Sequence, residues 1–209
     1  MAKKISKRKE PFNLILLGDP GAGKATQGRR LSKKYNLRDF DFGQWLRNLD
    51  ARGQKKYKVK ETAGKGMLTP TNLARAKFRE VIFDTPKSKG ILFDGNPKMA
   101  GEARLMYKWF REAGRSRPLV IYLSIPKKEM LKRTDIRVKI EKRSDDYANH
   151  LANRMKYYRK NIAATVAYLR RVCTFKKISG FGTRDQVFRR LVHTIEAGLK
   201  KQGKEHDHF

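Results

Sequence analysis

The segment GDPGAGKATQ, residues 18–27, combines residue types that hold phosphate groups. Gly18, Gly21 and Gly23 let the backbone turn tightly enough for successive N–H groups to point at phosphate oxygens. Lys24 adds a positive charge at the start of a predicted helix, whose N-terminal dipole strengthens the attraction. The usual phosphate-loop pattern, G-x-x-x-x-G-K-[ST], has a hydroxyl directly after the lysine, whereas here the hydroxyl comes one residue later. Because the apolar run NLILL precedes the loop, the order strand, loop, lysine and helix predicts a nucleotide site.

Short apolar segments alternate with longer helical stretches along the chain, which is typical of βαβ units around a parallel sheet. The predicted strands are 13–17, 90–94, 119–124 and 174–178, with a further short one at 37–42. The predicted helices are 24–35, 70–84, 100–112, 126–133, 145–171 and 184–200. Thr183 is the predicted N-cap of the last helix, and Thr69 caps a helix that has Pro70 at its first position. We therefore expect an α/β fold.

Length and composition are those of one globular domain with a polar surface. The 209 residues are 39% hydrophobic and 34% charged, which is enough for a sizeable core. The apolar runs fall well short of the roughly 20 residues of a membrane span, and no apolar stretch follows the basic first ten residues as in a signal peptide. The lone cysteine, Cys173, excludes an internal disulfide and is predicted to be a small core residue. We expect a soluble, cytoplasmic protein without a membrane partner.

The charge balance is unusual for such a domain. The chain has 51 Lys and Arg against 20 Asp and Glu, which gives a net charge of +31. A surplus of this size attracts polyanions at physiological salt. It is spread along the chain, with denser segments at 3–9, 55–60 and 127–143. The sequence predicts solvated basic tails and leaves nonspecific association with RNA or another polyanion open.

The variant loop GxPGxGKxTQ resembles that of the adenylate kinase branch of the P-loop nucleoside monophosphate kinases. Six further segments match the family's pattern in the family's order, so the resemblance covers most of the chain. They are FGQWLR at 42–47, GMLTP at 66–70, GILFDGNPK at 90–98, LKRTDIR at 131–137, RSDDYANHLANRM at 143–155 and KISGFGTRDQV at 177–187. Their order and spacing together are a much stronger signal than any one segment.

The resemblance implies a three-layer α/β P-loop fold, with a parallel five-stranded sheet flanked by helices, a small helical acceptor-binding insertion and a short lid. The chain is expected to be a single domain, 1–209. Its expected parts are a core at 11–41, 76–133 and 145–201, an acceptor-binding lobe at about 42–75, a lid at about 134–144 and basic tails at 1–10 and 202–209. The short lid contains no cysteine, so no structural zinc is expected. A monomer is the family expectation.

The same resemblance implies a reaction, in which ATP and Mg²⁺ phosphorylate AMP reversibly to give two ADP. The implied catalytic residues are Lys24, Arg133, Arg137, Arg143 and Arg154. The implied ATP site consists of Gly18, Gly21, Ala22, Gly23, Lys24, Ala25, Thr26, Arg133, Arg137 and Gly182. The implied AMP site consists of Phe42, Gly43, Arg47, Met67, Thr69, Gly95, Lys98, Glu102, Arg143 and Arg154. Asp94 is implied to contact the Mg²⁺ through water.

Phosphoryl transfer suits such a cationic set, because a phosphate oxygen is already the nucleophile and the site must mainly position the reactants and offset spreading negative charge. Arg133 and Arg137 are spaced i, i+4, which places both on one face of a helix. Arg143 precedes the predicted helix that carries Arg154 about three turns later. Closure of the lid and the acceptor lobe is expected to exclude water, since ATP would otherwise be hydrolysed.

Departures from the family's pattern fall on the acceptor side. Phe42, Gln44 and Asn96 stand where the family has Thr, Asp and Phe. Lys98 replaces an arginine that grips the acceptor's phosphate, which keeps the charge but loses the bidentate fork. Glu102 replaces a glutamine that reads adenine, and an ionised carboxylate suits the two adjacent donors of guanine better. Protonation of Glu102 or a backbone contact would still permit AMP, and a solvent-facing Glu102 would read no base.

Three functions follow from these observations, of which adenylate kinase activity is favoured. The second is the same fold and reaction with GMP or CMP as acceptor. The third is a catalytically weak adenylate-kinase-like protein bound to RNA or ribosomes. The charge favours this third function, but the chain lacks an RNP-type aromatic motif. Steep salt dependence of polyanion binding would distinguish it.

Overall fold

The computed structural model describes residues 11–59, 71–141 and 148–204. Within these ranges the strands are β1 (Leu14–Gly18), β2 (Leu37–Phe40), β3 (Gly90–Asp94), β4 (Leu119–Ser124) and β5 (Phe175–Ser179). The helices there are α1 (Lys24–Tyr35), α2 (Phe42–Arg47), α3 (Ala51–Lys56), α4 (Thr71–Asp84), α5 (Ala100–Glu112), α6 (Lys127–Glu141), α7 (Ala148–Val172) and α8 (Arg184–Lys204). Strands and helices alternate through most of this sequence.

The strands form a parallel sheet in the order β2-β3-β1-β4-β5. β1 is central, and its Leu16 lies beside Asp94 of β3 and Ile121 of β4. Because parallel strands end at the same edge of a sheet, the loops after β1 and β3 emerge side by side there. The predicted five-stranded parallel sheet flanked by helices is confirmed.

The two faces of the sheet bury two separate apolar clusters. Alternate side chains of β1 point to opposite faces, so Ile15 and Leu17 join one cluster while Leu14 and Leu16 join the other. The first cluster is completed by side chains of α4, α5 and α7, including an edge-to-face pair of Phe78 with the strand residue Phe93. The second is completed by α1 and α8. Helices therefore cover both faces and give the three predicted layers. Cys173 is a buried free thiol in the first cluster, as predicted.

Several boundaries differ from the prediction for local reasons. β1 and β5 begin and end one residue later than 13–17 and 174–178. β2 ends at Phe40 rather than at 42, because the Asp41 side chain accepts a hydrogen bond from the Gln44 N–H and caps α2. The sixth helix does not end at 133 but continues to Glu141, through residues that include no glycine or proline. The first part of the expected lid therefore extends α6.

The N-cap predicted for the last helix is confirmed. The Thr183 hydroxyl accepts a hydrogen bond from the Gln186 N–H at 3.2 Å, and the Gln186 side chain accepts one from the Thr183 N–H at 2.9 Å. The predicted cap Thr69, the helix starts at 70 and 145, the last lid residues and most of both tails lie outside the described residues. In the described part of the chain, no helix combines the length and the apolar character needed to cross a membrane.

Candidate active site

The phosphate loop, residues 18–24, leads from β1 into α1 in a conformation that requires glycine. Gly21 and Gly23 have φ angles of 75° and 86°. A Cβ atom on Gly23 would meet no atom within 4 Å, so backbone conformation rather than space demands glycine there. Gly23 is the N-cap residue of α1, and no side chain caps this end of the helix. The N–H groups of the first turn, which includes Ala25 and Thr26, are therefore suited to phosphate oxygens.

Lys24 lies across the loop and reaches the neighbouring strand end. Its Nζ donates hydrogen bonds to the carbonyl oxygens of Gly18 at 2.7 Å and Asp19 at 2.9 Å. A Cβ atom on Gly95 would lie 3.5 Å from the Lys24 Cε. The predicted ATP-binding and AMP-binding loops thus meet at this lysine.

Asp94 ends β3 beside Lys24 and is only 5% exposed. Its carboxylate lies over α1 at Gly28, where an added Cβ would be 3.2 Å from the nearer carboxylate oxygen. Burial raises the pKa of Asp94 to about 7, with the Lys24 ammonium opposing this and the carboxylates of Asp41 and Asp39 adding to it. This carboxylate is therefore stabilised in its ionised form by any additional positive charge at the phosphate loop.

Arg133 joins α6 to two glycine-containing loops. Its Nε donates to the Glu129 carboxylate at 2.6 Å, and its guanidinium donates to the Gly180 carbonyl at 3.2 Å. A Cβ atom on Gly21 would lie 3.4 Å from the Arg133 Cβ. Gly182, in the loop that follows Gly180, has a φ of 112°. The structure thus brings the predicted ATP-site residues of the phosphate loop, α6 and the loop after β5 together.

Glu102 is buried at the start of α5, so the solvent-facing alternative is wrong. It is 5% exposed, and one carboxylate oxygen accepts hydrogen bonds from the N–H groups of Lys98 at 3.0 Å and Met99 at 3.2 Å. Burial raises the pKa of Glu102, while these two N–H groups oppose the shift. The Lys98 carbonyl also accepts a hydrogen bond from the Thr165 hydroxyl of α7 at 3.1 Å. Glu102 and Thr165 therefore fix the backbone that carries Lys98.

The described residues of the acceptor lobe are arranged around an aromatic contact. The Phe42 ring is 5% exposed and lies against Trp45, with ring centroids 5.5 Å apart. The Arg47 guanidinium lies 4.0 Å from the Asp41 carboxylate and 3.2 Å from where a Cβ on Gly43 would be. Phe42 thus contributes its ring to the core, and Arg47 lies back along its own helix.

Five predicted site residues cannot be placed as side chains. Met67, Thr69 and Arg143 lie outside the described residues. Arg137 lies in α6 and Arg154 lies in α7, and the structure describes only the backbone at these two positions.

A group of polar side chains beneath the phosphate loop was not predicted. The Asp19 carboxylate accepts hydrogen bonds from the Tyr122 hydroxyl at 2.6 Å and the Ile125 N–H at 2.9 Å. The Tyr158 hydroxyl donates to the Gly18 carbonyl at 2.9 Å and lies 3.1 Å from the Tyr122 oxygen. The sequence offered one indication of this group. Asp19 is a negatively charged residue within a loop that otherwise suits anion binding, so its carboxylate needs hydrogen-bond donors elsewhere.

Comparisons with known proteins agree with this geometry. A sequence model of the family described as adenylate kinase matches residues 16–173. An adenylate kinase of Thermus thermophilus is 30% identical over 179 residues, which are 85% of this chain and 94% of the relative. An adenylate kinase of Phocaeicola vulgatus is 27% identical over 186 residues, covering 88% and 98% of the two chains. Together with the phosphate loop on a parallel five-stranded sheet, these matches show that the chain belongs to the adenylate kinase family.

Proposed function

We propose that the protein transfers the terminal phosphoryl group of ATP to AMP, reversibly, and forms two ADP. The observation that carries this proposal is the position of Lys24, which is hydrogen-bonded to the phosphate loop and adjacent to Gly95 in the loop after β3. A lysine at this junction can accompany a phosphoryl group between two nucleotides, because the transfer mainly requires positioning and offset of negative charge.

The position of Arg133, between the phosphate loop and Gly180, suits it to the phosphates and base of ATP. We assign the phosphate of AMP to Arg47 and Lys98 from their matches to the family's pattern. We assign the same anion-binding task to Arg137, Arg143 and Arg154 from their sequence matches.

Asp94 fits a role in holding Mg²⁺ through water. Mg²⁺ is usually bound by one or two carboxylates together with substrate phosphates and water, and Asp94 is a buried carboxylate beside the phosphate loop. Bound there, the ion would supply positive charge that offsets the negative charge developing on the phosphate oxygens of ATP. Arg133 of α6 and Lys24 of the phosphate loop add positive charges from the protein itself.

AMP is the acceptor that the site supports best. One oxygen of Glu102 already holds the backbone at the start of α5, which gives this carboxylate a structural use that does not require guanine. The family match, with relatives named as adenylate kinases, also supports AMP.

An acceptor panel tests the proposal. We would measure ADP formation from Mg·ATP with AMP, GMP, CMP and UMP, using the wild type, Lys24→Ala and Lys33→Ala. Lys33 is an exposed lysine on the same helix and serves as the control. We expect AMP to be preferred, Lys24→Ala to lose at least about 100-fold in kcat, and Lys33→Ala to retain activity. Preference for GMP or CMP, or no transfer by folded protein, would overturn the proposal.

Association with polyanions is a second property that the charge of +31 supports. Exposed lysines also line the outer strand of the sheet, at Lys176 and Lys177 of β5. Binding of a single-stranded RNA is expected to weaken steeply as salt rises, and salt-independent or absent binding would contradict it. We further propose a cytoplasmic monomer, for which size-exclusion chromatography tests the oligomeric state.

A further inference from the structure

Asp19 places a negative charge inside a loop that must attract phosphate. Its backbone N–H pairs with the Leu123 carbonyl at 2.9 Å, and its carboxylate is engaged at both oxygens, by the Tyr122 hydroxyl and the Ile125 N–H. All of these partners belong to β4 or to the residue directly after it. The carboxylate is therefore held on the β4 side of the loop, where its charge is offset by two donors.

The carbonyl groups of the loop have a second set of donors besides Lys24. The Gly18 carbonyl accepts from both Lys24 and the Tyr158 hydroxyl, and the Asp19 carbonyl accepts from both Lys24 and the Ala22 N–H at 3.1 Å. Lys24 has three N–H groups, and two are directed at these carbonyls. If the ammonium turns to a phosphate, each carbonyl still has one donor left.

We propose that Asp19, Tyr122 and Tyr158 are positioning residues for ATP, an inference that rests on the proposed function. We call these three side chains the loop brace. The Tyr158 hydroxyl keeps the Gly18 carbonyl hydrogen-bonded while Lys24 turns to the phosphate of ATP. The Tyr122 hydroxyl keeps the Asp19 carboxylate away from that phosphate. Burial raises the pKa of both tyrosines, so both hydroxyls remain protonated donors at neutral pH.

The loop brace is expected to affect ATP and not AMP. It touches the phosphate loop, whereas the backbone at Lys98 is held independently by Glu102 and Thr165. Removing the Tyr158 hydroxyl would leave the Gly18 carbonyl dependent on Lys24, and leaving a partly buried acceptor without a donor is unfavourable. The lysine would then be released less readily, and ATP would bind more weakly.

Tyr158→Phe tests the first half of the proposal, because it removes one hydroxyl and keeps the ring. We would measure the Kd of Mg·ATP by calorimetry without an acceptor, and the KM values of ATP and AMP in the transfer reaction. We expect the Kd and KM of ATP to rise about tenfold and the KM of AMP to change less than about twofold. Tyr168→Phe is the control, since it lies on the same helix about 15 Å farther along its axis and should change neither.

A charge rescue tests the second half. Tyr122→Phe releases one oxygen of the Asp19 carboxylate, so ATP should bind more weakly because a free negative charge can approach its phosphates. Adding Asp19→Asn to Tyr122→Phe removes that charge, and we expect most of the lost affinity to return. A merely structural role would give further loss in the double variant.

Three results would overturn the inference: unchanged ATP affinity in Tyr158→Phe, an equal rise in the KM of ATP and AMP, or no rescue by Asp19→Asn. The calorimetry also gives the number of Mg·ATP molecules bound per protein molecule. A variant that is partly unfolded would therefore show a reduced stoichiometry rather than only a changed Kd. If the wild type bound Mg·ATP but phosphorylated no acceptor, the proposed function would fail, while weaker ATP binding in Tyr158→Phe would still support the loop brace.

Discussion

Buried charged side chains at the phosphate loop reduce the stability of the folded protein, but they are suited to binding a ligand of opposite charge. Asp94 is the clearest case, because it is 5% exposed and its pKa is raised to about 7, mainly by burial. Lys24 offsets part of this cost and the Asp41 and Asp39 carboxylates increase it. Perturbed groups of this kind concentrate at functional sites, where the ligand supplies the missing charge.

Replacing Asp94 with asparagine is expected to stabilise the nucleotide-free protein and to reduce transfer at least about 100-fold. A carboxyl whose native pKa lies above its unfolded value destabilises the native state above the native pKa. That penalty disappears as the pH falls from about 7 toward 3.8, the ordinary pKa of an aspartate carboxyl. Asp94→Asn should therefore raise the Tm by a few degrees at pH 8 and by less at pH 5. An equal or lower Tm at pH 8 would contradict this reasoning.

Glu102→Gln distinguishes a structural carboxylate from one that reads a base. The amide oxygen of glutamine can accept the same two N–H groups, and burial has raised the pKa of Glu102. We therefore expect Glu102→Gln to be more stable than the wild type, by a larger margin at pH 8 than at pH 5. We also expect its ratio of AMP to GMP turnover to stay within about threefold of the wild-type ratio. Glu112→Gln, at the exposed end of α5, is the control. A larger change in the ratio would assign base recognition to Glu102.

Among the contacts between elements, Arg115 ties α4 to the start of β3. It is 6% exposed, and its guanidinium donates to the carbonyls of Ile82 at 2.8 Å, Lys89 at 3.1 Å and Thr85. These contacts lie at the edge of the sheet opposite the phosphate loop, because Lys89 precedes β3 and Asp94 ends it. They stabilise the fold without touching the site.

Arg115→Met is accordingly expected to lower the free energy of unfolding by about 2–4 kcal/mol, since several buried carbonyls lose a charged donor. The KM values for ATP and AMP should not change. Urea unfolding and steady-state kinetics measure the two effects, with the exposed Arg111→Met as control. Unchanged stability, or a selective change in either KM, would show that the contacts have another role.

The elements with strong local signals could be predicted from the sequence. Continuous apolar runs predict β3 and β4 at their observed bounds, and helical stretches predict α1 and α5 likewise. The six-residue helices α2 and α3 are too short for a periodic pattern and depend on caps, as the Asp50 carboxylate shows by accepting from the Gly53 N–H at 2.7 Å. Short capped helices therefore escape prediction.

The site could be predicted where it depends on local spacing. The phosphate loop directly follows one predicted strand and Asp94 ends another, so their proximity follows from a parallel sheet. The loop brace could not be predicted, because Asp19 and Tyr122 are 103 positions apart and only tertiary packing brings them together. Glu102 is a different case, since its residue type suggested base recognition, whereas its carboxylate accepts hydrogen bonds from the N–H groups of Lys98 and Met99, only four and three positions before it at the start of α5.

The whole molecule carries a charge of +31, which acts on stability as well as on partners. Like charges repel one another in the compact state, and salt screens them over about 10 Å at 0.1 M. We therefore expect the Tm to rise between low salt and about 0.3 M NaCl, by a few degrees. Scanning calorimetry across that range checks this, and a Tm that falls with salt would indicate that attractive pairs dominate.

The fate of the terminal phosphoryl group of ATP distinguishes transfer to AMP from hydrolysis. Mg·ATP labelled at the terminal phosphate is mixed with AMP, and the products are separated after a small fraction has reacted. We predict that label leaves ATP only when AMP is present and appears in ADP, with one labelled ADP for each AMP consumed. Label released as free phosphate, or retained in ATP despite bound AMP, would contradict phosphoryl transfer between the two nucleotides.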